Sequence, residues 1–362
     1  MPSITLPSIY SPSQIKSAAK NPFHLPIAPP PSNRACISVF RSDTLNQKLV
    51  HHQRIVSMEV KGKQASERYA VVTGANKGIG LETARQLAAS GVMVVLTARN
   101  EKRGTEAVSL LHNEGLSNVV FHRLDVVDNH SIECLAEHLK TQYGRLDILV
   151  NNAGASGVVV DEDALRALNL DPADWLAGKV TNLIQSSIKT TYEKAKECLD
   201  TNYYGVKNIT EALLPLLQLS TSGARIVNVS SLRSELRRIP NEQTRELLGD
   251  IENLTEERID ETLQKFLRDL KEGALEANGW QPMLPAYSIS KATLNAYTRL
   301  LAKKNPSICI NCVHPGYVNT DLNWHTGPLT VEEGAQGPVM LALLPQGGPS
   351  GHYFDQTVMA EF

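Results

Sequence analysis

An α/β fold, built on a doubly wound parallel sheet of about seven strands with helices on both faces, is predicted by three features of this sequence. From Tyr69 onward, short β-branched runs alternate with helical stretches, the pattern of stacked βαβ units around a parallel sheet. The first run passes directly into a glycine-rich turn and then a helical stretch. Of the 362 residues, all but an N-terminal stretch follow this rhythm, which leaves about 300 residues, enough for one large core without a second domain.

Residues 1–57 hold nine Ser, eight Pro, six Lys or Arg and one acid, Asp43. A basic, Ser-rich, acid-poor start with no apolar segment has the composition of an organelle transit peptide and not of a secretory signal. Plastid delivery is therefore expected, the alternative being a cytoplasmic product that starts at Met58; the folded domain is expected over residues 66–362. Its strands are expected at 69–73, 92–97, 119–122, 147–150, 225–229 and 308–313, with a last one around Tyr353. Two longer intervals, 155–192 and 232–285, interrupt them. In the second, Thr255 precedes Glu256 and Glu257, and Ile259, Leu263, Phe266, Leu267 and Leu270 then recur at helical spacing before Lys271 and Gly273. An N-cap, an acidic first turn and a glycine stop define an amphipathic helix, so this interval is a helical insertion.

The 36 basic and 38 acidic residues almost cancel, so no global field draws the chain to nucleic acid or to an anionic membrane. No uncharged apolar run approaches the roughly 18 residues of a membrane helix. The five cysteines stand singly except Cys309 and Cys312. Those two fall in a strand, where residues three apart face opposite sides, which makes them core thiols and not a redox or metal pair. No metal site is expected, and unpaired thiols fit a reducing compartment.

The turn after the first strand reads Thr73-Gly74-Ala75-Asn76-Lys77-Gly78-Ile79-Gly80. Glycines allow a tight turn and a close backbone approach to a pyrophosphate, and the following helix offers amide donors and a partial positive charge. The second strand ends Leu96-Thr97-Ala98-Arg99-Asn100. An acid there would bind the ribose of NAD, whereas a cation accommodates the 2′-phosphate of NADP. Arg99 provides a forked cation, and Lys77 is placed to add a second.

Tyr287 and Lys291 are four apart in the helical stretch 287–301 and so share a face. A free phenol, with a pKa of about 10, is a poor acid or base near neutrality, and a nearby ammonium together with a positively charged nicotinamide favours the phenolate. Ser231, at the carboxyl end of the strand 225–229, can donate to a substrate oxygen as charge develops on it. Asn202 falls inside the helical stretch 191–217, where Asn is an unfavourable choice. His314, beside Pro315, reads as a satisfied structural histidine.

In order along the chain, Thr73-Gly74-x-x-x-Gly78-x-Gly80, Asp125 in Leu124-Asp125-Val126, Asn151-Asn152-Ala153-Gly154, Asn202, Ser231 after Asn228-Val229-Ser230, Tyr287-x-x-x-Lys291 and Pro315-Gly316 resemble the short-chain dehydrogenase/reductase family. The resemblance extends from about Arg68 to Phe362 and implies a Rossmann-type fold with NADPH/NADP as cofactor. It implies a catalytic set of Asn202, Ser231, Tyr287 and Lys291, in which Asn202 anchors a water joined to Lys291. Cofactor contacts are implied for Gly74, Asn76, Lys77, Gly78, Ile79, Gly80, Arg99, Asp125, Val126, Asn152, Tyr287, Lys291, Val318 and Thr320.

The long gap between Ser231 and Tyr287, the segment 254–260, Asn278-Gly279-Trp280, Val331-Glu332-Glu333-Gly334-Ala335 and Gly348-Pro349-Ser350-Gly351 are similar to the plant carbonyl reductase-like subgroup, which includes menthone (neomenthol-forming) and salutaridine reductases. That similarity implies reduction of a ketone or aldehyde on a small apolar terpenoid- or alkaloid-like substrate, with Tyr287 as proton donor. The alternatives are a plastid β-ketoacyl carrier-protein reductase, whose family members lack these insertions, and a non-catalytic NADPH-binding regulatory protein, which has no need of all four catalytic residues. Where family members dimerise, the helices equivalent to those carrying Asn202 and Tyr287 meet a second subunit. The resemblance implies that the inserted helix covers that surface here, and a monomer is expected.

Overall fold

The computed structural model describes residues 67–184 and 186–362; the expected extension over residues 1–57 lies outside the described residues. The strands are β1 (Tyr69–Val72), β2 (Met93–Ala98), β3 (Val119–Arg123), β4 (Ile148–Asn151), β5 (Val159–Val160), β6 (Ile188–Lys189), β7 (Arg225–Val229), β8 (Cys309–His314), β9 (Tyr353–Asp355) and β10 (Val358–Ala360). Eight of them form one sheet in the order β10-β9-β8-β7-β4-β1-β2-β3. Its pairs are parallel except the terminal β9–β10 hairpin. All the expected strands are present in this sheet, and β10 is its addition. At three residues, with Val358 68% and Met359 48% exposed, it carries no burial pattern from which it could be read.

The strands are apolar on both faces because helices cover both. Val71, Val95, Leu149, Ile226 and Ile310 enter one core layer, while Val72, Val94, Ile148, Val150, Val227 and Val313 enter the other. The chain runs outward from β1 through β2 to β3, then returns to place β4 on the far side of β1. This reversal opens a crevice at the carboxyl ends of β1 and β4, the position at which open α/β sheets bind ligands.

The insertion between β7 and the helix Pro285–Lys304 holds the expected helix, Glu256–Lys271, whose N-cap Thr255 accepts a hydrogen bond from the Arg258 amide. Ile259, Leu263 and Phe266 are fully buried, with the Phe266 ring edge-on to Trp280 at 5.2 Å between centroids. Trp280 Nε1 donates to Asp269 at 2.7 Å, which satisfies the buried indole. The helix packs against the helices Tyr192–Leu199 and Pro285–Lys304. A shorter helix, Glu242–Gly249, precedes it; eight residues are too few for a clear helical period. The other insertion forms the two-stranded antiparallel β5–β6 ribbon and short helices that include Pro172–Ala177. Together with the end of the insertion that follows β7 and the segment after β8, it builds a separate apolar cluster that includes Trp175, Met283, Tyr317 and Trp324.

Cys309 and Cys312 are both buried in β8 as free thiols. Among the described residues no helix is long and apolar enough to cross a membrane, and no group of His, Cys, Asp or Glu could hold a metal ion.

Candidate active site

The glycine turn is held open from below by the end of β4. The amides of Asn152 and Ala153 donate to Thr73 Oγ1 at 2.9 and 3.0 Å, and Asn152 Nδ2 donates to the carbonyls of Thr73 and Gly74 at 2.9 and 3.2 Å. Asn152, expected as a cofactor contact, thus has the visible task of fixing the turn that would make the contact. Gly74 and Gly78 have φ of +61° and +59°, a region that side chains with a Cβ seldom occupy. The helix Gly78–Ala89 begins at Lys77 without any side-chain cap, so no side chain competes with water or a ligand for its first amides. Thr320 lies against Gly78, and Val318 and Ile79 both flank Gly334. The segment after β8 therefore roofs the turn, where Val318 and Thr320 were expected.

Arg99 is exposed just beyond the end of β2, and no acid stands beside it in sequence before Glu101. Lys77 is ion-paired with Asp321; the second cation expected for a phosphate is shared with a carboxylate that sequence reading did not place there. Asp125 folds onto its own loop, its Oδ1 accepting from the Val127 amide at 3.2 Å and its amide donating to Ser131 Oγ at 3.0 Å. The buried Val126 packs against Gly205. Asn76 is half-buried in the turn.

The catalytic candidates meet where β7 ends. Lys291 Nζ donates to the carbonyl of Val229 at 2.7 Å and lies 5.8 Å from the centre of the Tyr287 ring. Ser231 caps a single turn by accepting from the Arg233 amide at 3.2 Å, and it lines the same cleft as Tyr287. Leu284, just before the catalytic helix, takes a left-handed backbone with φ of 52°. For Leu this is a sparsely populated conformation of the kind that gathers at functional sites.

Asn202 sits in a π-turn, Asp200–Tyr204, between the helices Tyr192–Leu199 and Gly205–Leu217. The expected single helix is therefore interrupted at its unfavourable residue, and such bulges are frequent at functional sites. Asn202 Oδ1 accepts from the Ala155 amide at 2.8 Å, while Nδ2 donates to the Ala155 carbonyl and to Ser290 Oγ, both at 3.0 Å. The side chain clamps the loop after β4 to the catalytic helix.

Burial pushes the Tyr287 hydroxyl up to about 12, an effect only partly opposed by the hydrogen bond with Ser231 and the charge of Arg233. Burial also pushes Lys291 down to about 8. In the protein alone, desolvation therefore moves both groups toward their neutral forms; the expected phenolate also draws on the charge of a nicotinamide. His314 departs from expectation. It is buried with Nδ1 unpartnered, and desolvation lowers its pKa and keeps it neutral.

The cleft above these residues is lined by Trp175, Arg233, Leu284, Tyr317 and Leu322 as well as by the catalytic group. None of these five was singled out from the sequence. They arrive from four separate segments, and Arg233 alone carried a signal, its place two residues after Ser231.

Comparison with known proteins agrees with this geometry. The pattern described as short chain dehydrogenase matches residues 68–241. Short-chain dehydrogenase/reductase 1 of Saponaria officinalis is 55% identical over 300 residues, covering 82% of this chain and 97% of that protein. The chain belongs to the short-chain dehydrogenase/reductase family. (+)-Neomenthol dehydrogenase of Arabidopsis thaliana is 51% identical over 303 residues, covering 83% and 99% of the two chains. The structure of salutaridine reductase from Papaver somniferum matches with a TM-score of 0.75 at 49% identity, covering 80% of this chain and 99% of that one. This family member is an oxidoreductase of the plant reductase subgroup, and the family uses nicotinamide cofactors.

One substitution tests the turn directly. A Cβ at Gly80 would collide with Asn152 Nδ2 and lie 2.8 Å from the Gly74 carbonyl, so Gly80→Ala must dislodge the residue that holds the turn. Fluorescence titration with NADPH should show affinity weakened by about tenfold or more, the scale of losing one or two charge-assisted hydrogen bonds. Wild-type affinity would show that the turn is not the dinucleotide cradle.

Proposed function

We propose that this enzyme reduces a ketone or aldehyde on a small, largely apolar substrate of terpenoid or alkaloid type, with NADPH as hydride donor and Tyr287 as proton donor. The observation that carries the reading is the convergence of Ser231, Tyr287 and Lys291 beneath a cleft walled by Trp175, Tyr317 and Leu322. The names of the neomenthol and salutaridine relatives support the substrate class.

The residues present fit the cofactor. The glycine cradle, the uncapped helix start and the absence of an acid directly after β2 suit a pyrophosphate and a phosphorylated ribose. Bound there, the cofactor supplies the hydride. Arg99 would hold the 2′-phosphate, with Lys77 near it. Ser231 would donate to the substrate carbonyl oxygen as negative charge develops, and Tyr287, protonated through its burial, would transfer its proton to that oxygen. Lys291, with a pKa near 8, still carries a proton at neutrality to pass toward Tyr287, and Asn202 would anchor the water of that relay.

We also read the enzyme as a monomer, supported by the inserted helix Glu256–Lys271 lying across the helices Tyr192–Leu199 and Pro285–Lys304. The composition of residues 1–57 supports plastid delivery over a start at Met58.

NADPH oxidation against a panel of terpenoid, alkaloid and acyl-thioester carbonyls tests the whole reading, and activity confined to thioesters would overturn it. Tyr287→Phe should lower turnover by about 10²-fold or more while NADPH still binds; retention of about a tenth of the activity contradicts a general acid. Arg99→Asp should raise KM for NADPH far more than for NADH, because it sets an anion against the 2′-phosphate, and an unchanged preference would remove Arg99 from the site. Light scattering behind size-exclusion chromatography should give the mass of one chain at all concentrations. A mass near twice or four times that would refute the monomer.

A further inference from the structure

Arg233 and Lys291 are the cations of the cleft lining, and the mechanism above gives a task to Lys291 but none to Arg233. It is 7% exposed. Its Nη2 donates to the Trp175 carbonyl at 3.0 Å and to Met283 Sδ at 2.9 Å, while the buried Nη1 has no hydrogen-bond partner. Glu235, the acid nearest in sequence, gives its carboxylate to Arg237 and Arg238. The ionisable groups that act on the Arg233 guanidinium are Arg238, Tyr287 and Tyr317, and none of them is a carboxylate.

A guanidinium cannot shed its proton as a buried lysine does, and a buried charge without a counter-charge is strongly unfavourable. Its surroundings do not explain it, since Trp175, Met283 and Tyr317 belong to an apolar cluster that a Met or Leu would fill at lower cost. What a guanidinium offers and those residues do not is a planar fork that matches a carboxylate. Since Trp175 and Met283 fix the fork among the inserted segments and not at the glycine turn, the matching anion belongs to the substrate and not to the cofactor phosphates. His314 Nδ1, also buried and unpartnered, borders the same cleft and gives a second polar point beside the apolar wall.

We propose that Arg233 is a substrate-binding residue and that the substrate is an oxo acid: an apolar body carrying a carboxylate in addition to the carbonyl that is reduced. This rests on the reductase reading above and narrows its substrate class. Arg233 takes no part in the transfer of hydride or proton; it anchors the carboxylate and so orients the carbonyl toward Ser231 and Tyr287.

Matched pairs of compounds isolate the charge. Pinonic acid and its methyl ester form one pair, and 4-oxocyclohexanecarboxylic acid and its ethyl ester another. With the wild-type enzyme and NADPH, kcat/KM for each acid is expected to exceed that for its ester by about tenfold or more, chiefly through KM. Arg233→Met should abolish the preference by raising KM for the acids alone, with NADPH affinity unchanged. Arg233→Lys keeps the charge without the fork and should retain part of it, so the case does not depend on Arg233→Met folding. Equal values for acids and esters in the wild type overturn the proposal. So does weakened NADPH binding in Arg233→Met, which would assign the guanidinium to the cofactor, or an equal loss on acids and esters, which would make it a positioning residue for Tyr287. Calorimetric titration of the same pairs into the NADP complex reads Arg233 without turnover. If nothing is reduced but the acids bind more tightly than the esters, the reductase reading fails and the anion site stands; if neither is seen, both fail.

Discussion

The arrangement of the site depends on a buried polar seam between the end of β7 and the catalytic helix. Asn228 Nδ2 donates to Thr298 Oγ1 at 2.9 Å, Ser230 Oγ to Asn295 Oδ1 at 2.6 Å, and Asn295 Nδ2 to Ser234 Oγ at 2.8 Å. The Lys291 ammonium adds its bond to the Val229 carbonyl, and Asn151 Nδ2 extends the seam to β4 through Asn228 Oδ1 at 2.8 Å. Each such bond contributes about 1 kcal/mol net, yet leaving one partner unsatisfied in the interior costs about 1–3 kcal/mol. Sliding the helix against the strand would break several at once, so the seam holds the turn that carries Ser231 against the helix that carries Tyr287.

The same reasoning explains why Asn202 disturbs its helix. An amide at an α-helical position would meet solvent or compete for the backbone of its own turn, but the π-turn at Asp200–Tyr204 coincides with a side chain that reaches both Ala155 and Ser290. One residue thereby ties the loop after β4 to the helix that the β7 seam already fixes. The irregular backbone and the strong side-chain bonds are two parts of one device. Cys198, whose thiol donates to the Ala155 carbonyl at 3.2 Å, closes it from the adjoining helix, and burial pushes that thiol up to about 12, which keeps it unreactive beside the site.

What could be read from the sequence had a local cause. The strands of the sheet were visible as short β-branched runs because both faces are covered, and the glycine turn because tight backbone geometry demands glycine at fixed places. The helix Glu256–Lys271 was visible because its cap, acidic start and apolar stripe all lie within one segment. The seam, the clamp at Asn202 and the aromatic wall could not be read in the same way. Asn228 and Ser230 are ordinary polar residues until a strand and a helix bring them within 3 Å of Thr298 and Asn295, and Trp175 and Tyr317 stack at 6.3 Å with rings 4° apart although 142 positions separate them. The desolvation of Tyr287 and Lys291 was hidden for a related reason. Spacing along a helix reveals that an ammonium is near, but not how much solvent the rest of the fold removes from both groups.

That removal of solvent links the wall of the cleft to its chemistry. Taken out of water, each group is driven toward its neutral form, Tyr287 up to about 12 and Lys291 down to about 8. The two shifts have opposite signs because one acid is neutral and the other charged when protonated, and a common desolvation therefore draws the two values further apart on the tyrosine side while bringing the lysine close to neutrality. A protonated phenol is ready to donate without first acquiring a proton, and a lysine near neutrality gives up and regains its own at little cost in free energy. In the proposed reaction the packing that takes both groups out of water would thus act without touching the reacting atoms, by setting the dielectric in which the proton of Tyr287 is held until an oxygen of rising negative charge draws it away.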